Sequence, residues 1–390
     1  MSSTDACLIN CKDFALIYQL VNYECMKISE IINYLQSLAP LSLQEKYDNA
    51  GLLTGDPEWE CSGIITSLDV TEEVVKEAVA KKSNLIVSHH PIIFNGLKKL
   101  TGGNYVERTI ILALKNDVAL YAIHTNLDNI QKGVNGKIAE KLGLVNCSTL
   151  VPKAKLLSKL YVYVPQSHAE VVRSAIFSAG GGNISNYSEC SFNIPGTGTF
   201  KPGEGTHPFI GQEGVRHSQM EIKIEIIFPY WHQSAILAAM FKAHPYEEVA
   251  YEIINLENTV QEMGAGLTGY LPQSMDEPAF LELLKKSFNL SVIKHTRLMG
   301  NQISKVAVCG GAGSFMVEQA CASGANIYIT SDLKYHEYFD SNDRLVIADI
   351  GHYESEQFTI QLLYDILRKK FTTFAVLKTE IRTNPVYYFF

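Results

Sequence analysis

Four short stretches set histidine near carboxylate, each just after an apolar run: SHHPIIF at 88–94, HTNLD at 124–128, SDLKYHE at 331–337 and GHYESE at 351–356. Imidazole with carboxylate is a donor set for Zn, Fe, Mn or Ni, and none of the four contains the thiolate that soft copper or iron–sulfur sites prefer. His89 and His90 are consecutive on extended chain, so their side chains diverge, and Pro91 keeps His90 out of helical geometry. Such a pair is poorly placed to chelate one ion but can give one nitrogen to each of two neighbouring ions. His124 and Asp128 are four apart and face the same way if the turn between them is helical. His352 and Glu356 share that spacing where a helix should start, which brings both to one cation. Each cluster alone also has a purely structural reading, as a hydrogen-bonded core histidine or an acidic residue suited to a helix N-terminus. Their convergence favours metal, because ligands of open α/β sheets collect beyond the carboxyl ends of strands, where all these residues fall. Two divalent ions about 3.5 to 4 Å apart would suit the set. Asp128 and Glu356 would offset two of four positive charges, leaving an attraction for hydroxide or an anionic group and a bound water acidified toward neutral pKa.

Four further features complete the set. Asp332 and His336 are again four apart, and His336, with His124, is a candidate proton carrier or a group that orients a ligand. In CGGAGSF (309–315) the backbone N–H groups of Gly310, Gly311 and Gly313 are candidates for a phosphate contact, with a plain tight turn as the alternative. GTGTFKPGEGTHPFIGQEG (196–214) holds six glycines and reads as a long hairpin connection, with a mobile lid as the alternative. His244, in HPYEE, reads as structural.

The elements that must position these residues follow from periodicity. SGIITSLDV, TEEVVKEAVAKK and NLIVS read as strand, helix and strand, a βαβ unit. A helix over about 106–116 leads to the strand VALYAIH, and NGKIAEKLGL is a helix closed by Gly143. In MKISEIINYLQSL, Ser29 is the expected cap. From residue 155 the texture changes: KLYVYVP, a helix, the alternating MEIKIEIIF, another helix and the strand EEVAYEIINLE suggest a ferredoxin-like α+β module. After it α/β texture resumes with KVAVCGG, NIYITS, LVIADIG and a strand-like tail, FAVLKTEIRTNPVYYFF. The domain reading is an extension at 1–25, a discontinuous α/β domain at 26–154 and 259–390, and an inserted module at 155–258.

Composition bounds the function. Of 390 residues, 46% are hydrophobic and 19% charged, which excludes disorder and fits two or three soluble domains. A net charge of −8 without a Lys/Arg block argues against nucleic acid as partner. No apolar run nears the ~18 residues of a membrane span. Eight scattered cysteines fit reduced thiols in a cytoplasm; Cys7 and Cys11 form only a weak pair.

Together, YDNAGLLTGD (47–56), LDVT, SHHPIIF, HTNLD, VAVCGGAGSF, SDLKYH, GHYESEQ and TNPVYYF resemble the GTP cyclohydrolase 1 type 2 family, also called NIF-three-like, from Met26 to the C-terminus. Residues 1–25 have no counterpart in it, and Ser331 stands where a TGD pattern has glycine. The resemblance implies a NIF-three-like α/β/α domain carrying an inserted PII-like or CutA-like module. It implies a dinuclear centre held by His89, His90, Asp128, His352 and Glu356, and a homohexamer built as a trimer of dimers. It also implies a metal-dependent hydrolase acting on an anionic, nucleotide-like small molecule. The rival expectations are a non-enzymatic protein that stores, delivers or inserts metal, and a regulatory or assembly role for the insert.

Overall fold

The computed structural model describes residues 26–389; the expected N-terminal extension, with Cys7 and Cys11, lies outside the described residues. The chain is α/β and packs as two compact units. One ends at Leu127 and resumes at Glu356; the other is Asp128–Ser355.

In the first unit, strands β1 (Gly51–Thr54), β2 (Ile64–Ser67), β3 (Leu85–Ser88) and β4 (Ala119–Ala122) join the C-terminal strand Val376–Lys378 in one sheet, ordered β1-β4-β3-β2-C-terminal strand. All are parallel except β1. The runs IITS, LIVS and ALYA are buried at every position, so they carry no polar alternation, as expected of a sheet covered on both faces. Helix Glu72–Ala80, capped by Thr71, and helix Tyr105–Lys115, capped by Asn104, supply Val74, Val75, Ala78, Ile110 and Ala113 to the core over Ile65, Ile86 and Leu120. Ser29 does not cap the first helix. The helix Ile28–Leu38 begins two residues earlier than a Ser29 cap would set it, with Lys27 at the cap position and Glu30 accepting its N–H at 2.9 Å. Ser67, Ser88 and Ala122 lie level across β2, β3 and β4. The residues that follow, Leu68–Asp69, His89–His90 and Ile123–His124, therefore leave the sheet side by side.

The second unit contains β5 (Val145–Ala154), β6 (Leu157–Pro165), β7 (Phe192–Phe200), β8 (His217–Pro229), β9 (Tyr251–Leu256), β10 (Thr259–Asp276), β11 (Lys294–His295), β12 (Gln302–Ala312), β13 (Ile327–Ser331) and β14 (Val346–Asp349). Six of them form a sheet ordered β11-β14-β13-β12-β10-β5, with β12, β13 and β14 parallel. Helix Val134–Leu142 ends at Gly143 in the left-handed region, φ 66°, as its sequence signals. The other four strands, with helices Ala169–Ser178 and Gln233–Ala243, form an antiparallel βαββαβ sheet ordered β7-β8-β6-β9, which is the ferredoxin-like arrangement. Its core sets Leu160, Val162 and Val164 against Val172, Ile176 and Phe228.

Two strands are shorter than expected. EEVAYEIINLE becomes strand only at Tyr251, because the preceding residues after Pro245 form a turn that packs on the module. The tail is a strand only over Val376–Lys378; Thr379 N–H still donates to the Thr66 carbonyl at 3.0 Å, and beyond it the path to Phe389 is irregular, with side-chain hydrogen bonds such as Thr383 to Asp69 and Val386 N–H to Asn384. The strands expected in one domain at 26–154 and 259–390 form two separate sheets, one in each unit.

Candidate metal centre

At the carboxyl edge of β2, β3 and β4 the sheet register gathers three imidazoles. The ring centroids of His89, His90 and His124 are 4.9, 5.2 and 5.4 Å apart, and each ring offers a nitrogen within 4.8 Å of the others'. Backbone bonds hold them there: His89 N–H donates to Ser67 O at 3.2 Å, His90 N–H to Leu68 O at 2.9 Å, and Ile123 N–H to Ser88 O at 2.9 Å. Glu356 enters from the C-terminal part of the same unit; it is 3% exposed, with Oε2 2.9 Å from His90 Nε2 and Oε1 3.7 Å from His89 Nε2.

In all three rings Nδ1 faces an oxygen acceptor. His89 Nδ1–H donates to the Ile123 carbonyl at 2.9 Å, which fixes Nε2 as the basic nitrogen. His90 Nδ1 lies 2.7 Å from Asp69 Oδ1, and His124 Nδ1 lies 2.7 Å from Asp48 Oδ1. These carboxylates are themselves held. Thr383 Oγ1 donates to Asp69 Oδ2 at 2.5 Å, while Thr125 donates to Asp48 Oδ2 through both its N–H and its hydroxyl. A carbonyl or carboxylate behind each imidazole is the pattern by which proteins orient histidines toward a metal.

The electrostatics match. Burial alone would lower the pKa of His90, but Glu356 and Asp69 outweigh it and raise the value to about 10. His90 thus lies between two carboxylates, Asp69 on its Nδ1 side and Glu356 on its Nε2 side. Burial opposes ionisation of Asp48, yet the hydrogen bonds from His124 and Thr125 prevail and bring it to about 2. Asp69 is likewise held below its usual range, chiefly by His90 acting against burial.

The remaining residues singled out by the sequence fall as follows. Thr125–Asp128 is a single helical turn that begins directly after His124. Asp128 is half-buried, and its carbonyl accepts from Asn135 Nδ2 at 3.2 Å. His352 and Glu356 open and close the short helix His352–Glu356, one turn apart. His352 Nδ1 is 2.6 Å from Asp332 Oδ2, so Asp332 pairs with His352 and not with His336. His336 lies on the exposed 3₁₀ turn Tyr335–Ser341, its ring against Tyr335 and Phe339. The phosphate expectation for Gly310, Gly311 and Gly313 meets a different arrangement. Gly310 N–H donates to Asn135 Oδ1 and Gly311 N–H to Ser355 Oγ, both at 3.0 Å, so those two amides are already engaged inside the protein. Gly313 serves close packing: a Cβ there would lie 2.3 Å from Thr330 Oγ1. Sequence reasoning gave no role to Asp48, Asp69, Thr125 or Thr383. The available signal was positional, since Asp69 follows β2 at the same level as His90 follows β3.

A His/Glu group able to hold a metal ion, set at the strand ends of an α/β sheet, is thus the class of site this fold builds. The chain belongs to the Duf34/NIF3 (NGG1p interacting factor 3) family, whose model matches residues 26–385. It is 39% identical over 368 residues to the GTP cyclohydrolase 1 type 2 homolog of Halalkalibacterium halodurans, spanning 92% of this chain and 99% of that one. The homolog of the same description in Bacillus subtilis is 37% identical over 362 residues, spanning 91% and 97%. Among solved structures, the Bacillus cereus protein related to NIF3 superposes with a TM-score of 0.82 at 37% identity, covering 94% of this chain and 100% of that chain. No helix among the described residues is long and apolar enough to cross a membrane.

Proposed function

We propose that the chain binds two divalent cations through His89, His90, Asp128, His352 and Glu356, with His124 at the rim, and that it is a metal-dependent hydrolase of a nucleotide-like, anionic substrate. The observation that carries the metal reading is the shared orientation of three imidazoles, each with an oxygen behind Nδ1, beside the buried Glu356 carboxylate. When bound, such ions supply Lewis acidity and a water acidified toward neutral pKa. The side chains do the rest: Asp48 and Asp69 hold His124 and His90 in orientation, and His124, backed by Asp48, is placed to carry a proton. Elemental analysis of protein purified without added metal tests the first step. Near two equivalents of Zn, Fe, Mn or Ni are expected, falling to background in Glu356→Gln and His89→Ala. Incubation of the loaded protein with GTP and other nucleotides then tests turnover. Product formation absent from His89→Ala supports the hydrolase, whereas metal retention without any product favours a protein that stores or delivers ions.

We further propose a homohexamer, a trimer of dimers. Large apolar side chains exposed on single units support it: Phe315, Tyr335 and Phe339 on one, Tyr387 on the other. Light scattering of the full chain should give six times the 43.4 kDa chain mass; a monomer removes the proposal.

A further inference from the structure

Two motifs that the metal centre leaves unused, the glycine-rich 196–214 stretch and HPYEE at 244–248, meet in the ferredoxin-like module around a cavity of about 420 Å³. Four aromatic rings line it, Tyr163, Phe200, Phe209 and Tyr246, and the carboxylate of Glu221 from β8 opens into it, with the charged Lys201, Glu247 and Glu248 also on the lining. The walls are fixed in place. His244 Nε2–H donates to the Tyr163 carbonyl at 3.0 Å, and His244 Nδ1 accepts the Tyr246 N–H at 3.1 Å, which orients the tyrosine. Glu247 Oε1 accepts the His207 N–H at 2.9 Å and ties the β7–β8 connection to the turn before β9. Phe200 and Phe209 lie with ring centroids 6.0 and 6.3 Å from that of Tyr246.

Glu221 is the informative residue. It is 8% exposed, and its only hydrogen-bond donor among the described residues is the Tyr246 hydroxyl, 3.0 Å from Oε1. No Lys or Arg among the described residues pairs with it, although neighbouring Glu225 pairs with both Lys159 and Lys223. Gly198 makes room for the carboxylate, since a Cβ at 198 would lie 2.2 Å from Oε2. A carboxylate this buried is costly without a positive partner, and aromatic faces attract cations. We propose that this cavity binds a small organic cation, an ammonium or guanidinium on an apolar stem, with its head against Glu221 and its stem between Phe200 and Phe209.

Saturation-transfer NMR on the full chain, with chelator present, tests this using benzylamine and agmatine as probes and benzyl alcohol as the neutral control. Both amines should bind, benzyl alcohol at least tenfold more weakly than benzylamine. Glu221→Gln, which keeps shape and loses charge, should weaken amine binding tenfold or more while leaving the thermal midpoint unchanged. Phe209→Ala, at a half-exposed ring, should weaken both amines without unfolding the module, and serves if Glu221→Gln does not fold. The proposal is overturned if neither amine binds, if benzyl alcohol matches benzylamine, or if amine binding survives in both folded variants.

Discussion

His89, His90 and His124 illustrate how much a residue type at a known position reveals. Their place beyond the ends of apolar runs was readable, as was the helical spacing of His352 and Glu356. What no run of letters conveys is which way each ring nitrogen points, because that depends on partners far along the chain: Asp48 lies 76 residues before His124, and Glu356 lies 266 after His90. The acids behind the rings therefore went unassigned, although Asp48 and Asp69 are as well defined as the histidines. Their role is testable. Asp69→Asn keeps an oxygen near His90 Nδ1 but removes the charge, and loss of such an orienting carboxylate typically weakens metal binding ~10–100-fold. A chelator competition assay should show that weakening with an unchanged circular dichroism spectrum; unaltered affinity would mean that Asp69 serves only the fold.

At the level of elements, local signals were legible where one residue decides the geometry and failed where two compete. Gly143 ends its helix as expected. Ser29 lost the cap to Lys27 because Glu30 can reach back to the Lys27 N–H, a contest the letters alone do not settle. Helix Tyr105–Lys115 organises its own approach loop through Glu107, whose carboxylate accepts from the Thr101 and Gly103 N–H groups at 2.8 and 3.0 Å and from Asn104 Nδ2 at 2.9 Å. Those donors, led by the Thr101 and Gly103 amides, depress its pKa to about 2. A carboxylate depressed in the fold contributes order that is complete above its ordinary value of 4.5 and is lost as pH falls toward about 2. Amide exchange at Thr101 and Gly103, corrected for intrinsic rates, should accelerate over that window in the native protein and show no such step in Glu107→Gln.

For the molecule as a whole, the change of texture near residue 155 was legible because half-buried strands alternate, as β6 does with its buried Leu160, Val162 and Val164. The division of the remaining α/β sequence into two sheets was not, since fully buried parallel strands such as LIVS and IYITS look alike whichever sheet they join. The module's stability rests on its own apolar centre. Phe228 is fully buried there, and Phe228→Ala should cost about 3–5 kcal/mol, read from the denaturant midpoint. The hydrogen bond from Thr383 to Asp69 has a consequence for biosynthesis. Its two ends are 314 residues apart, and the histidines leave the ribosome long before Glu356 and Thr383 are translated. A nascent chain thus carries these imidazoles without Glu356 for most of its synthesis, so the complete His/Glu group assembles only when translation is almost over.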